Sequence, residues 1–231
     1  MFFMLNLLRK KFVRNQVSDS VNLFLNAIDY ASKTYAHFFP TEQKPRPIRV
    51  PIKLALEEDA KATLPKYIAE AFPNKPYSFE ETSFYPKKEK TYQVGFDDYQ
   101  VVDVEKGKPF IESRDCSGLI VLMRSVNSLG LANVSFFQDS FERALQRMIE
   151  RAQGAEIELF FLGNGDTVQS KLDQVVQHVQ VIVNQSIVIK DNLVRSFDFE
   201  VTAVKKKPEV KFAGFDEGNH PIAIIGYQPT S

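Results

Sequence analysis

The sequence predicts an α+β fold: a mixed or antiparallel β-sheet packed with three to four helices, an N-terminal helical arm, and a projecting β-hairpin region. Three observations predict it. Apolar residues recur at helical spacing in well-separated stretches. Short β-prone runs crowd together between Tyr77 and Phe110 and again between Val181 and Val204. A clean alternating string of strands and helices is absent, which argues against a doubly wound parallel sheet.

The elements follow in chain order. The start, Met1 to Leu8, is apolar and precedes Arg9, Lys10 and Lys11. That order is the reverse of a secretory signal, and the run is too short to span a membrane. It reads as a start helix packed on its own domain or an arm docked on a neighbour, with an interfacial membrane helix as the further alternative. Val21, Phe24, Leu25, Ile28, Ala31 and Tyr35 share one helical face. The stretch Pro40 to Pro47 is a proline-rich connector, held extended. Ile48, Val50, Ile52 and Leu54 alternate as a strand, with Pro51 marking an edge position or a break. A helix is expected over 57–72, where Pro65 is tolerable near a first turn or at a kink.

From Tyr77 to Phe110 the pattern reads as hairpins, with a turn at Lys106-Gly107-Lys108-Pro109. Leu119 to Val126 is a continuous apolar run of strand length. Ser135-Phe136-Phe137-Gln138 resembles a capping box for a helix whose face carries Phe137, Phe141, Ala144, Leu145, Met148, Ile149 and Ala152. Ile157 to Leu162 reads as a strand. A second capping box at Asp166–Gln169 opens a helix with Val168, Leu172, Val175, Val176 and Val179 on one side. Val181–Ile189 and Val194–Val204, joined through Asp191-Asn192, read as a hairpin. The resulting division is an arm and helix at 1–39, a body at 47–207 with a hairpin insertion near 77–111, and a C-terminal tail at 208–231.

Composition narrows the function classes. The chain of 231 residues is long enough to bury a core without staples. Lys and Arg number 29, as do Asp and Glu. The formal net charge of zero removes the basic excess that nucleic-acid binding usually requires. It also does little to keep copies of the chain apart. Cys116 is the one cysteine, so an internal disulfide and a thiolate-only zinc site are excluded. A reducing compartment follows as the simplest expectation.

Few residues suggest chemistry. His37 and His178 lie in helical patterns, and no spacing of the His-Glu-x-x-His kind is present. Gly163-Asn164-Gly165-Asp166 reads as a turn with an Asp cap, not a phosphate loop. The runs Lys87–Lys90 and Lys205–Lys207 read as solvated turns, with contact to nucleic acid or an acidic partner as the alternative. Asp115-Cys116-Ser117-Gly118-Leu119 resembles the nucleophile motif of the NlpC/P60 cysteine peptidases of cell-wall peptides. That resemblance implies a Cys116 thiolate at a helix N-terminus and His220 as its base. The match covers five residues. His220 stands much further along the chain than in the compact family core, and Pro221 follows it directly.

A broader pattern runs along the chain. Its parts are Phe2-Phe3 to Phe12, the helix around Leu23–Ile28, the motif Pro47-Ile48-Arg49-Val50-Pro51-Ile52, the aromatic stretch Pro76–Phe79 to Phe84-Tyr85, and Ser196–Val201. Together they resemble the tail-completion, or sheath-terminator, proteins of contractile-tailed bacteriophages of the T-even type. About 91–155 and the residues after Lys207 fall outside the resemblance. It implies a structural virion protein, made in the host cytoplasm, which forms a ring of six copies. The ring would cap the tail tube and sheath and join them to the neck. It implies no catalysis, cofactor, metal, small-molecule substrate or stable membrane insertion. The expected contact residues are Phe2, Phe3, Leu5, Leu8, Tyr77, Phe79, Phe84, Tyr85, Tyr92, Phe96 and Tyr99.

Overall fold

A computed structural model describes residues 51–72, 75, 77–80, 91–112, 116, 118–135, 139–164, 168–194 and 200–229. The expected arm and helix before residue 40, most of the Pro47–Ile52 motif, Phe84, Tyr85, the run Lys87–Lys90, residues 195–199, the greater part of the first capping box and half of the second lie outside these.

The described residues form eleven strands and three helices. A six-stranded sheet has the order β2 (Phe79–Glu80), β1 (Lys53–Leu56), β11 (Pro221–Tyr227), β10 (Pro208–Phe215), β5 (Lys108–Glu112), β3 (Thr91–Gln93). A five-stranded sheet has the order β4 (Tyr99–Asp103), β7 (Ser128–Val134), β6 (Gly118–Arg124), β8 (Ile157–Asn164), β9 (Ile187–Asn192). Both mix parallel and antiparallel pairs. With helices α1 (Leu64–Ala71), α2 (Asp139–Ala152) and α3 (Val168–Gln180), this is the α+β class that the sequence predicts.

Strand β6 explains how the layers stack. Ile120 and Leu122 point into a core shared with Leu54, Leu56, Val210 and Ile225 of the six-stranded sheet. Leu119, Val121 and Met123 point the other way, onto Phe141, Ala144, Leu145 and Met148 of α2 and Val168, Leu172 and Val175 of α3. Alternate side chains of a strand leave on opposite faces. A strand covered on both faces therefore reads as an unbroken apolar run, as Leu119 to Met123 does. Each such side chain contributes about 1.5–3 kcal/mol of burial. The five-stranded sheet is thus the middle layer, between the six-stranded sheet and two helices.

Several local expectations change. Helix α1 begins only at Leu64, with Pro65 in its first turn, where no backbone donor is lost. Pro51 precedes β1 rather than placing it at an edge; β1 lies between β2 and β11. The strands at 77–112 are not hairpins with one another. Strand β2 runs parallel to β1, β3 runs parallel to β5, and β4 pairs with β7 in the other sheet. The segment set apart as a C-terminal tail forms β10 and β11, a hairpin inside the six-stranded sheet. Asp191 and Asn192 are not a turn but the end of β9, which runs parallel to β8 after the α3 crossover.

Candidate functional site

Two polar clusters include links between the two sheets, and they hold Lys190, Asp191 and Asp216, the buried charged residues among those described. The first centres on Asp191, whose side chain is only 2% exposed. Its carboxylate accepts the Ile52 N–H at 3.0 Å and the Tyr77 hydroxyl at 3.0 Å to each oxygen. It also accepts the Asn192 N–H at 2.9 Å and the Lys75 ammonium at 2.5 Å. Lys75 further donates to the Asn192 carbonyl at 3.0 Å and stands 5.2 Å over the Phe72 ring, which meets Tyr77 edge-on. Burial, then the Asp191 charge and the hydrogen bond to it, push the Tyr77 hydroxyl far above the usual phenol range. Tyr77 therefore stays protonated and donates. A buried carboxylate is tolerated only when its acceptor sites are filled, and here they are.

The second cluster lies at one end of the layered sheets. Lys190 bridges Glu156 at 3.2 Å and Glu158 at 3.3 Å. Glu158 pairs with Arg124 at 2.5 Å, and Arg124 reaches the Asn219 carbonyl at 3.3 Å in the β10–β11 turn. In that turn Asp216 pairs with Lys53 at 2.7 Å and accepts the His220 N–H at 2.8 Å. Lys53 also meets Glu80 at 3.3 Å, and Lys108 donates to the Asp216 carbonyl. Burial pushes the Asp216 carboxyl up, but the Lys53 hydrogen bond, the His220 N–H and the positive charges of both outweigh it. The carboxyl ends below the usual range. The Asp216 hydrogen bond, against burial, raises Lys53, with Glu80 adding to it. Burial lowers Lys108 despite the charges of Asp216 and Glu217.

The two residues of the peptidase resemblance fall in different surroundings. Cys116 is 1% exposed within the core between the sheets. The element after it is strand β6, not the helix which that resemblance implies. Gly118 of the motif has its own structural task. Its φ is +96°, and a Cβ there would stand 2.6 Å from the Val134 carbonyl oxygen, so only glycine fits without a shift. His220 sits in the β10–β11 turn, with Nδ1 3.3 Å from Asp216 Oδ1 but not aligned as a hydrogen bond. Among the described residues no group of three or more His, Cys, Asp or Glu side chains could hold a metal.

The expected contact aromatics divide. Tyr77 and Phe79 pack against the core between the sheets, and Tyr99 packs on the helix side with Arg147 5.3 Å over its ring. Tyr92 and Phe96 remain exposed. Phe2, Phe3, Leu5, Leu8, Phe84 and Tyr85 lie outside the described residues. Within Lys205–Lys207, Lys206 is drawn inward, 3.8 Å from Asp59 and 5.7 Å over the Tyr227 ring. Val126, Val181, Val183, Ile189 and Val204 are also exposed. The sequence reading did not single these out. Their signal is a valine beside a turn residue, as in Val126-Asn127 and Val183-Asn184.

No protein-family model matches the chain, and no curated protein matches it. Among the described residues no helix is long and apolar enough to cross a membrane.

Proposed function

We propose that the protein is a structural ring-forming component of a contractile phage tail, the tail-completion type, with copies of itself as its first partner. One observation carries this reading. The buried charged residues, Lys190, Asp191 and Asp216, are all paired within the chain, while the large apolar side chains left exposed stand at strand edges and turns. Such a distribution suits a building block, whose contacts lie on its rim rather than in a cleft. The sequence resemblance supplies the assembly: a ring of six between tail tube and sheath on one side and neck on the other, in the virion. Function in that role is geometric, and association contributes part of the stability.

The test is the solution mass of the purified chain by light scattering across a concentration series, with electron microscopy of the same sample. Concentration-driven growth to closed rings is the expected outcome. A monomer at every concentration, with no ring in the images, overturns the reading.

A further inference from the structure

We infer that copies of this chain join edge to edge through the five-stranded sheet, β9 of one copy adding to β4 of the next. This rests on the ring reading above and specifies its junction. Among the described residues β4 pairs only with β7, and β9 only with β8, so the sheet ends in two open edges. The edges are similar in length, with five residues in β4 and five in β9 before Asn192, whose N–H and C=O are taken by Asp191 and Lys75. An open edge carries a row of unpaired backbone donors and acceptors, a template for another strand.

The directions agree. Three antiparallel pairs and one parallel pair separate β4 from β9, so the two edges run in opposite directions within one copy. Copies related by rotation about an axis along the strands keep their directions. Their junction is then an antiparallel pair, the stabler kind. Being heterologous, it uses a different edge from each copy, and such contacts give a ring where the rotation closes.

The ends of the two edges that meet at the junction carry an apolar turn and an open groove. The pairs Asp103–Ser128, Leu129–Arg124, Arg124–Glu158 and Ile157–Ile187 run across one end of the sheet. The finish of β4 and the start of β9 therefore share that end, and an antiparallel junction sets them side by side. The turn entering β9 carries Val181 and Val183, 73% and 76% exposed, and Ile189 on the strand itself is 40% exposed. The finish of β4 borders an open groove of about 530 Å³ lined by Asp103, Val104, Lys106, Val126, Glu150 and Arg151, with Val126 75% exposed. Both features lie next to the helical layer, one after α3 and the other beside the end of α2. An apolar turn thus meets a groove whose lining is mostly charged, with Val104 and Val126 as its apolar contacts. The partner is a second copy because one chain carries both halves. Its zero net charge opposes no self-association.

Cross-linking tests the junction. The variants Val126→Cys and Val183→Cys are made singly and together, and treated with a short bismaleimide; native Cys116 is buried and serves as the unreactive control. The expected result is a ladder of covalent oligomers from the double variant. An equal mixture of the single variants gives dimers only, and neither single variant alone cross-links. Val183→Asp, at a site that folding does not bury, raises the concentration needed for assembly at least about tenfold. Cross-linking of Val183→Cys alone, as strong as in the mixture, overturns the inference in favour of a two-fold β9 contact. Assembly seen by light scattering without Val126–Val183 cross-links, and unaltered by Val183→Asp, overturns it while leaving the ring reading standing. A chain that stays monomeric throughout ends both.

Discussion

Asp191 and Asp216 do similar work in opposite settings. Each is a carboxylate near the end of a strand or in a turn, and each holds a lysine from a distant part of the chain, Lys75 for Asp191 and Lys53 for Asp216. Asp191 is enclosed, and its donors arrive from β1's approach, from the stretch leading to β2 and from its own strand. Asp216 is 12% exposed, Lys53 opposite it 34%, and the cluster runs out to His220 and Glu80 at the surface. Water can replace much of what the second cluster supplies, but little of what the first supplies. The difference teaches that the number of charges is a poor guide to stability. What counts is how many polar groups would be stranded away from water if the carboxylate were removed.

The largest effect should therefore come from Asp191→Ala. It strands the Ile52 N–H and the Tyr77 hydroxyl, whereas Lys75 keeps the Asn192 carbonyl and some solvent. The expected loss is about 3 kcal/mol, read by urea unfolding. That corresponds to a fall in Tm of roughly 6–12 °C for a domain of this size. Tyr77→Phe removes one donor to a charged acceptor and leaves the ring against Phe72. It should cost about 1.5 kcal/mol. If both variants unfold like the native chain, Asp191 is no clamp and the contrast with Asp216 disappears.

Asp191 also marks where sequence reasoning stops. Periodicity found the face of α2 correctly, residue by residue from Phe141 to Ala152, because a helix presents one stripe whatever it packs on. The unbroken apolar runs Leu119–Val126 and Ile157–Leu162 located β6 and β8, because both faces of these strands are covered. Asp191-Asn192 looked like a turn because isolated chains favour turns there. The partners that hold this pair in a strand, Ile52, Lys75 and Tyr77, come from distant parts of the chain, and no local pattern reports them. Pairing partners were equally hidden: alternation says which face of β4 or β5 is apolar, not which sheet each joins. The exposed valines escaped because Val126, Val181 and Val183 sit at the ends of apolar runs that read as strands, and a local pattern does not say which residues leave the sheet. Their meaning comes only from the open strands beside them.

The smallest effect sharpens the comparison from its other side. Asp216 has a folded pKa below its unfolded value of about 3.9. Its contribution is complete above that value and is lost as pH falls through the folded pKa, because protonation then releases Lys53 and the His220 N–H. Lys53 is raised above its unfolded value of about 10.4, so its share is complete below that pH and fades as pH rises through the folded value. The same ion pair is thus removed from either side. With Lys53 a third exposed, solvent screening holds the effect to about 1 kcal/mol or less. The measurement is the stability of native protein against Asp216→Asn in urea at pH 3, 7 and 11. The two curves should separate at pH 7 by less than Tyr77→Phe does and converge toward both extremes. A gap at pH 7 as large as that of Asp191→Ala would mean that the Asp216 cluster is sealed from water, and the distinction between the two carboxylates would fail.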